Sequence, residues 1–290
     1  MDKLGQYLRL IRVKSWIKNL FVFVPLIFSK NLFDPVSVSH SIMAFLAFSL
    51  ASGFVYVIND YFDAEYDRLH PVKKYRPIAY GKVSGREAVI IAAALIILSI
   101  VILNEASARF KFIIAAYVVI NFFYTLYLKN LVILDVMIIA FGFLLRVAGG
   151  AVVINVELSG WLILATIFIA LFMAVIKRRV EYAAFENNSQ KRKVLFDYSI
   201  ELLNLLTAVS GGGIIISYAL YSISEHTMRE FGTENLVYTV LFVIYGVFRY
   251  LYLAIKQNRG EDPAELVLSD IPTILNAILY ILCVLLIIYG

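Results

Sequence analysis

Nine apolar stretches, each about as long as a bilayer is thick, follow one another along this 290-residue chain with only short polar links between them. They cover about residues 17–34, 38–60, 86–103, 110–128, 131–153, 159–178, 203–222, 236–256 and 271–289. About 20 apolar residues in helical form span the hydrocarbon core of a membrane. Backbone polar groups in lipid must be satisfied within their own segment, so such runs fold as helices. Only 16% of residues are charged, where a soluble domain carries roughly a quarter, and the mean hydropathy is +0.83. These features predict an all-α, polytopic membrane bundle of about nine transmembrane helices, forming a single domain over residues 1–290. They exclude a soluble enzyme fold, and no nucleic-acid partner is expected. No low-complexity linker or internal repeat interrupts the pattern. Cys283, the one cysteine, lies in the last run and excludes an intrachain disulfide.

Residues 1–15 alternate apolar and basic positions at helical spacing and predict an interfacial helix before the first span. No small-residue cleavage site follows the first run, so it reads as a span and not as a signal peptide. With the N-terminus in the cytoplasm, 20 of the 26 Lys and Arg residues fall on cytoplasmic segments and four on the other side. That asymmetry predicts a multi-pass plasma-membrane protein with a cytoplasmic N-terminus and an external C-terminus.

The second run ends in NDYFDAEYDRLHPVKKYRPIA, residues 59–79. Asp60, Asp63 and Asp67 are spaced so that on one helix they share a face, with Asn59 beside them. Clustered carboxylates repel one another unless a cation sits between them. Oxygen donors of this kind, completed by substrate phosphates, suit magnesium. The expected metal set is therefore Asn59, Asp60, Asp63 and Asp67, with the three aspartates as catalytic residues. Arg68, His70, Lys73, Lys74 and Arg76 follow as phosphate-binding cations, on a segment kept out of helix by Pro71 and Pro77.

A second cluster, Lys177, Arg178, Arg179 and Glu181, ends the sixth run. Four crossings separate it from the first motif, so both are expected on the cytoplasmic face, where they read either as a facing wall of one cavity or as a topology signal. Lys191–Lys193 reads as a topology signal. Asp135 and Arg146, 11 residues apart in the fifth run, are predicted to share a face turned into the bundle. A charge at that depth is costly and seldom idle, so the two read either as a structural pairing or as ligand contacts. Lys129 stands at the same rim. Glu261, Asp262, Glu265 and Asp270 in the last loop read as gating groups or caps of the final helix.

NDYFDAEYDR resembles the first aspartate motif of the UbiA superfamily of intramembrane prenyltransferases, over nearly the whole chain. KSWIKNLFVFVPLIFS, DRLHPVKKYRPIA, YLKNLVILDVMIIAFGFLLRVAGG, KRRVE and FRYLYLAIKQNRGEDPAELVLSD are most similar to its decaprenyl-phosphate phosphoribosyltransferase branch. That resemblance implies a magnesium-dependent pentosyltransferase. It would join the 5-phosphoribosyl group of phosphoribosyl diphosphate (PRPP) to a polyprenyl phosphate and release diphosphate, for lipid-linked pentose and cell-wall precursors; the exact sugar-phosphate donor and whether the host makes arabinan stay open. It places Lys18, Lys129, Asp135, Arg146, Lys177, Arg178, Arg179 and Glu181 with Arg68, His70, Lys73, Lys74 and Arg76 as substrate-binding residues. Aromatic prenyltransferases of the superfamily commonly carry a second aspartate-rich motif where this chain reads KRRVE, which leaves the number of metal ions open. The rival readings are an aromatic prenyltransferase of the quinone or haem pathways and a non-catalytic transporter. Polyprenyl length and oligomeric state stay open.

Overall fold

The computed structural model describes residues 3–69, 73–184, 193–256, 266 and 269–290, and among them all regular structure is helical. Twelve α-helices follow in order: α1 (Lys3–Leu10), α2 (Val24–Phe28), α3 (Pro35–Phe62), α4 (Ala64–Leu69), α5 (Gly85–Ile102), α6 (Ala108–Leu126), α7 (Leu134–Val153), α8 (Gly160–Ala184), α9 (Ile200–Ser222), α10 (Glu225–Phe231), α11 (Val240–Lys256) and α12 (Ile271–Tyr289). Eight helices among the described residues, α3, α5 to α9, α11 and α12, are long and apolar enough to cross a membrane.

Five of the long helices start at side-chain caps. Asp34 accepts from Ser37 N–H at 2.9 Å with Pro35 in the first turn, and Ser84 and Glu87 form a reciprocal box at the head of α5. Ser107, Ser199 and Asp270 cap α6, α9 and α12 in the same way. Each cap satisfies a backbone N–H that the helix itself leaves unpaired.

The first apolar run departs from expectation. α1 ends at Leu10, Arg12 adopts a left-handed conformation (φ 53°, ψ 51°), and Val13–Phe23 is a 3₁₀ segment that continues into α2. It runs antiparallel to α3: Arg12 meets Asp60, Asn19 meets Ser49 and Ser52, and Phe23 meets Phe45. A 3₁₀ helix rises about 2.0 Å per residue against 1.5 Å for an α-helix, so the segment covers more length with fewer residues. Asn19, wholly buried in this apolar run, donates its side-chain amide to the hydroxyls of Ser49 and Ser52 on α3.

The chain divides into two compact units. The first comprises residues 1–26, 31–129 and 145–156. In it α3 packs on α5, α6 and the 3₁₀ segment, around Phe48, Phe110 and Tyr117 with ring centroids 5.5–6.0 Å apart. Gly150 on α7 allows close approach to the 3₁₀ segment, since a Cβ there would fall 2.0 Å from Val22 C=O. Apolar surface gains little by moving from lipid to protein, so close approach of small residues holds membrane helices together. The second unit comprises residues 27–30, 130–144 and 157–290. Its main pairing is α8 on α9, with α11 packed on α9 and α12 on α11.

Candidate active site

Three aspartates and three cations meet at the end of α3 in the first unit. Asp60 lies in the last turn of α3, and Asp63 is its C-cap (φ −87°, ψ 0°), with its N–H donated to Asn59 C=O. Asp67 belongs to the separate helix α4. The expectation of one continuous helix face is therefore corrected: α3 ends at Asp63, and Asp67 follows on a second short helix. Asp60 and Asp67 are buried, at 2% and 4% exposure.

One guanidinium nitrogen joins those two carboxylates. Arg76 Nη1 stands 3.1 Å from Asp60 Oδ1 and 2.7 Å from Asp67 Oδ2. Arg12 Nη2 approaches Asp60 Oδ1 at 2.5 Å from the other side, and its guanidinium lies 4.7 Å from the centre of the Tyr56 ring. Asp63 goes elsewhere, to Lys129 Nζ at 2.6 Å and to Asn59 Nδ2 at 3.1 Å. Burial raises the Asp67 carboxyl above its ordinary value, outweighing the opposing pull of Arg76.

These residues fit a hard divalent cation. Asp60 and Asp67 already aim oxygens at one shared positive group, and carboxylate oxygens are the donors that magnesium prefers. Among the described residues no three His, Cys, Asp or Glu side chains converge as a ready ligand set; Asp63 pairs with Lys129 and Asn59.

The other expected phosphate-binding residues are scattered. Arg68 Nε donates to Ala79 C=O at 3.3 Å. Lys74 lies 5.2 Å from the Tyr75 ring, and Lys73 opens the short 3₁₀ turn that carries both. Lys18 is half-buried on the Val13–Phe23 segment. His70 lies outside the described residues, as do Lys191, Glu261, Asp262 and Glu265. Asp270 caps α12 and pairs with Arg249 at 2.7 Å.

Asp135 and Arg146 are both buried, as expected of a shared inward face. A pairing between them is corrected, because about 16 Å of helix separates residues 11 apart. In the first unit, Arg146 Nε donates to Asn19 Oδ1 at 2.7 Å and Nη2 to Tyr117 OH at 2.9 Å, with the guanidinium 4.7 Å from the Tyr117 ring. In the second unit, Asp135 binds Arg178 Nε at 2.6 Å and Tyr198 OH at 2.7 Å, and Arg178 Nη1 reaches Glu181 at 2.7 Å. Ile133 N–H donates to the same Tyr198 oxygen at 2.8 Å. Burial, with Asp135 adding to it, raises the Tyr198 hydroxyl above its ordinary value. Arg178 is 2% exposed and committed to these acids. The structure thus places Arg178 in an internal ion-pair group with Asp135 and Glu181. Arg179 Nε donates to Asn204 Oδ1 at 2.7 Å, and Lys177 is half-buried.

Sequence reasoning missed Arg12, Asn19, Tyr56, Tyr117 and Tyr198. Asn19 had a readable signal, as an amide within an apolar run. Arg12 counted only toward topology, because its contact depends on a left-handed residue that its side-chain type does not announce.

The model of the UbiA prenyltransferase family matches residues 21–265. The decaprenyl-phosphate phosphoribosyltransferase of Mycolicibacterium smegmatis is 32% identical over 91% of this chain and 86% of its own length. The enzyme of the same name from Corynebacterium glutamicum is 30% identical over 97% of this chain and 86% of its own. The solved structure of a UbiA homolog from Archaeoglobus fulgidus bound to GPP and Mg2+ superposes with a TM-score of 0.74 at 20% identity, covering 98% of this chain and 100% of that one, a likeness of fold. With its multi-pass apolar helices and its aspartate motif at the end of α3, this chain belongs to the UbiA prenyltransferase family.

Proposed function

We propose that this membrane transferase moves the 5-phosphoribosyl group of PRPP to a polyprenyl phosphate at the cytoplasmic face of the plasma membrane, releasing diphosphate. The relatives named for decaprenyl phosphate, each matched over nine-tenths of this chain or more, support that substrate class. The observation that carries the reading is the first-unit cluster, in which Asp60 and Asp67 share one cationic group at the end of a membrane helix.

Asp60, Asp63 and Asp67, with Asn59, would hold magnesium. When bound, that ion supplies neutralisation of the charge gathering on the departing diphosphate. Arg12, Arg76 and Lys129 already meet the same carboxylates and supply fixed positive charge for phosphate oxygens. Lys73 and Lys74 extend that charge along the following turn. An oxygen of the lipid phosphate attacks the anomeric carbon, the bond from that carbon to the diphosphate oxygen breaks, and the electron pair leaves with diphosphate. The attacking phosphate is already an anion at neutral pH, so the step needs no strong general base. Catalysis is then mostly positioning and charge stabilisation. Arg146 and the Asp135–Arg178–Glu181 group brace the helices from buried positions.

Asp67→Ala is the direct test. It should remove turnover, by about a hundredfold or more, while the purified protein keeps its helical content and elution volume. A variant retaining most of its turnover would contradict the assignment.

A further inference from the structure

Arg12 and Arg76 occupy the two buried carboxylates of the cluster as internal counter-ions. Resting on the reading of this site given above, we propose that they are specificity-determining residues: they make the site select a divalent cation together with diphosphate over either one alone.

Asp60 and Asp67, at 2% and 4% exposure, are too buried to stand unpaired. A buried carboxylate stripped of its partner is strongly destabilising. Arg76 Nη1 bridges the two, at 3.1 and 2.7 Å. Arg12 Nη2 takes Asp60 at 2.5 Å.

A divalent ion arriving alone must therefore displace guanidinium from both acids and leave those cations without an anion, in side chains only 21–27% exposed. Diphosphate arriving alone meets cations already paired, with two carboxylates behind them. Arriving together, the two ligands exchange partners with the site: the metal takes the carboxylates, and the released guanidiniums take the phosphate oxygens in charge-assisted pairs. Lys129 and Asp63, 2.6 Å apart, make the same exchange at the third acid. Arg12 stays over the Tyr56 ring, 4.7 Å away, so its release from Asp60 needs only a short swing of the guanidinium. Coupling of this kind is reciprocal, so each ligand raises the affinity of the other by the same factor, about 10- to 100-fold at ordinary coupling strengths.

The experiment uses the full chain in detergent. Bound Mn2+ is counted by electron paramagnetic resonance, and labelled diphosphate is followed by equilibrium dialysis, each with and without the other. The wild type should bind Mn2+ weakly alone and about tenfold or more tighter with saturating diphosphate. Arg12→Gln should bind Mn2+ alone several-fold tighter than the wild type and show a smaller coupling factor, while Arg12→Lys, which keeps the charge, should stay near the wild type. Equal Mn2+ affinity with and without diphosphate in the wild type overturns the inference and needs no variant. Unchanged Mn2+ affinity in folded Arg12→Gln overturns the part assigned to Arg12. If the wild type binds no Mn2+ even with diphosphate, the site assignment itself falls and the inference falls with it.

Discussion

Arg76 holds two buried carboxylates through one nitrogen, so its removal should cost more than the loss of an ordinary surface ion pair. Arg76→Gln is expected to lower the melting temperature in detergent, and adding Asp67→Asn should restore part of the loss. Strict additivity in that cycle would mean that the two side chains do not interact. Tyr198 offers a second test away from the cluster. Tyr198→Phe strips a partner from Asp135 and from Ile133 N–H, a loss of about 1–3 kcal/mol. It also changes the alkaline limb. The folded hydroxyl keeps its proton beyond the ordinary value of 10.0, so above that pH the folded state holds more protons than the unfolded one. Stability is then full below pH 10 and falls as pH rises, and the fall should be shallower in Tyr198→Phe. A wild-type slope in the variant would contradict the assignment. The acids of both clusters, with Arg76, Lys129 and Arg178, were legible by type and position along the chain, and Arg12 was not. Their pairings were not: Arg12 and Asp60 are 48 residues apart, and only the packed backbone brings them together.

The membrane-spanning helices were legible because lipid imposes a length on apolar runs, and Asp34, Ser84, Ser107, Ser199 and Asp270 stand as caps where composition changes. The 3₁₀ form of Val13–Phe23 was not, because an apolar run reads the same whether its turns are 3₁₀ or α. The closest backbone approach there gives a sharp test. Gly150→Ala would put a Cβ 2.0 Å from Val22 C=O, against backbone, whereas Gly213→Ala would meet only the ring of Phe168, at 2.4 Å. Overpacking costs typically 1–3 kcal/mol. Gly150→Ala should therefore melt lower than Gly213→Ala, where a ring can turn aside. The reverse order would contradict the close packing of the 3₁₀ segment on α7.

The whole molecule is a multi-pass member of the UbiA family whose first unit carries an aspartate–cation cluster at one helix end. Arg12 on Asp60 places the N-terminal segment and the motif at the same end of α3, while Glu105, exposed between α5 and α6, lies one crossing away along α5. In a Cys283→Ser background, Glu105→Cys should react with a membrane-impermeant maleimide added to intact cells, and Lys14→Cys only after the membrane is opened. The opposite pattern would reverse the proposed orientation. The transfer reaction itself is open to one assay. Purified chain in detergent is given PRPP labelled in the ribose, decaprenyl phosphate and magnesium, with and without EDTA, and the lipid extract is counted. Lipid-soluble label that requires the metal and the lipid phosphate is expected. Transfer only when a prenyl diphosphate and an aromatic acid are supplied, with the label staying in the aqueous phase, would contradict it.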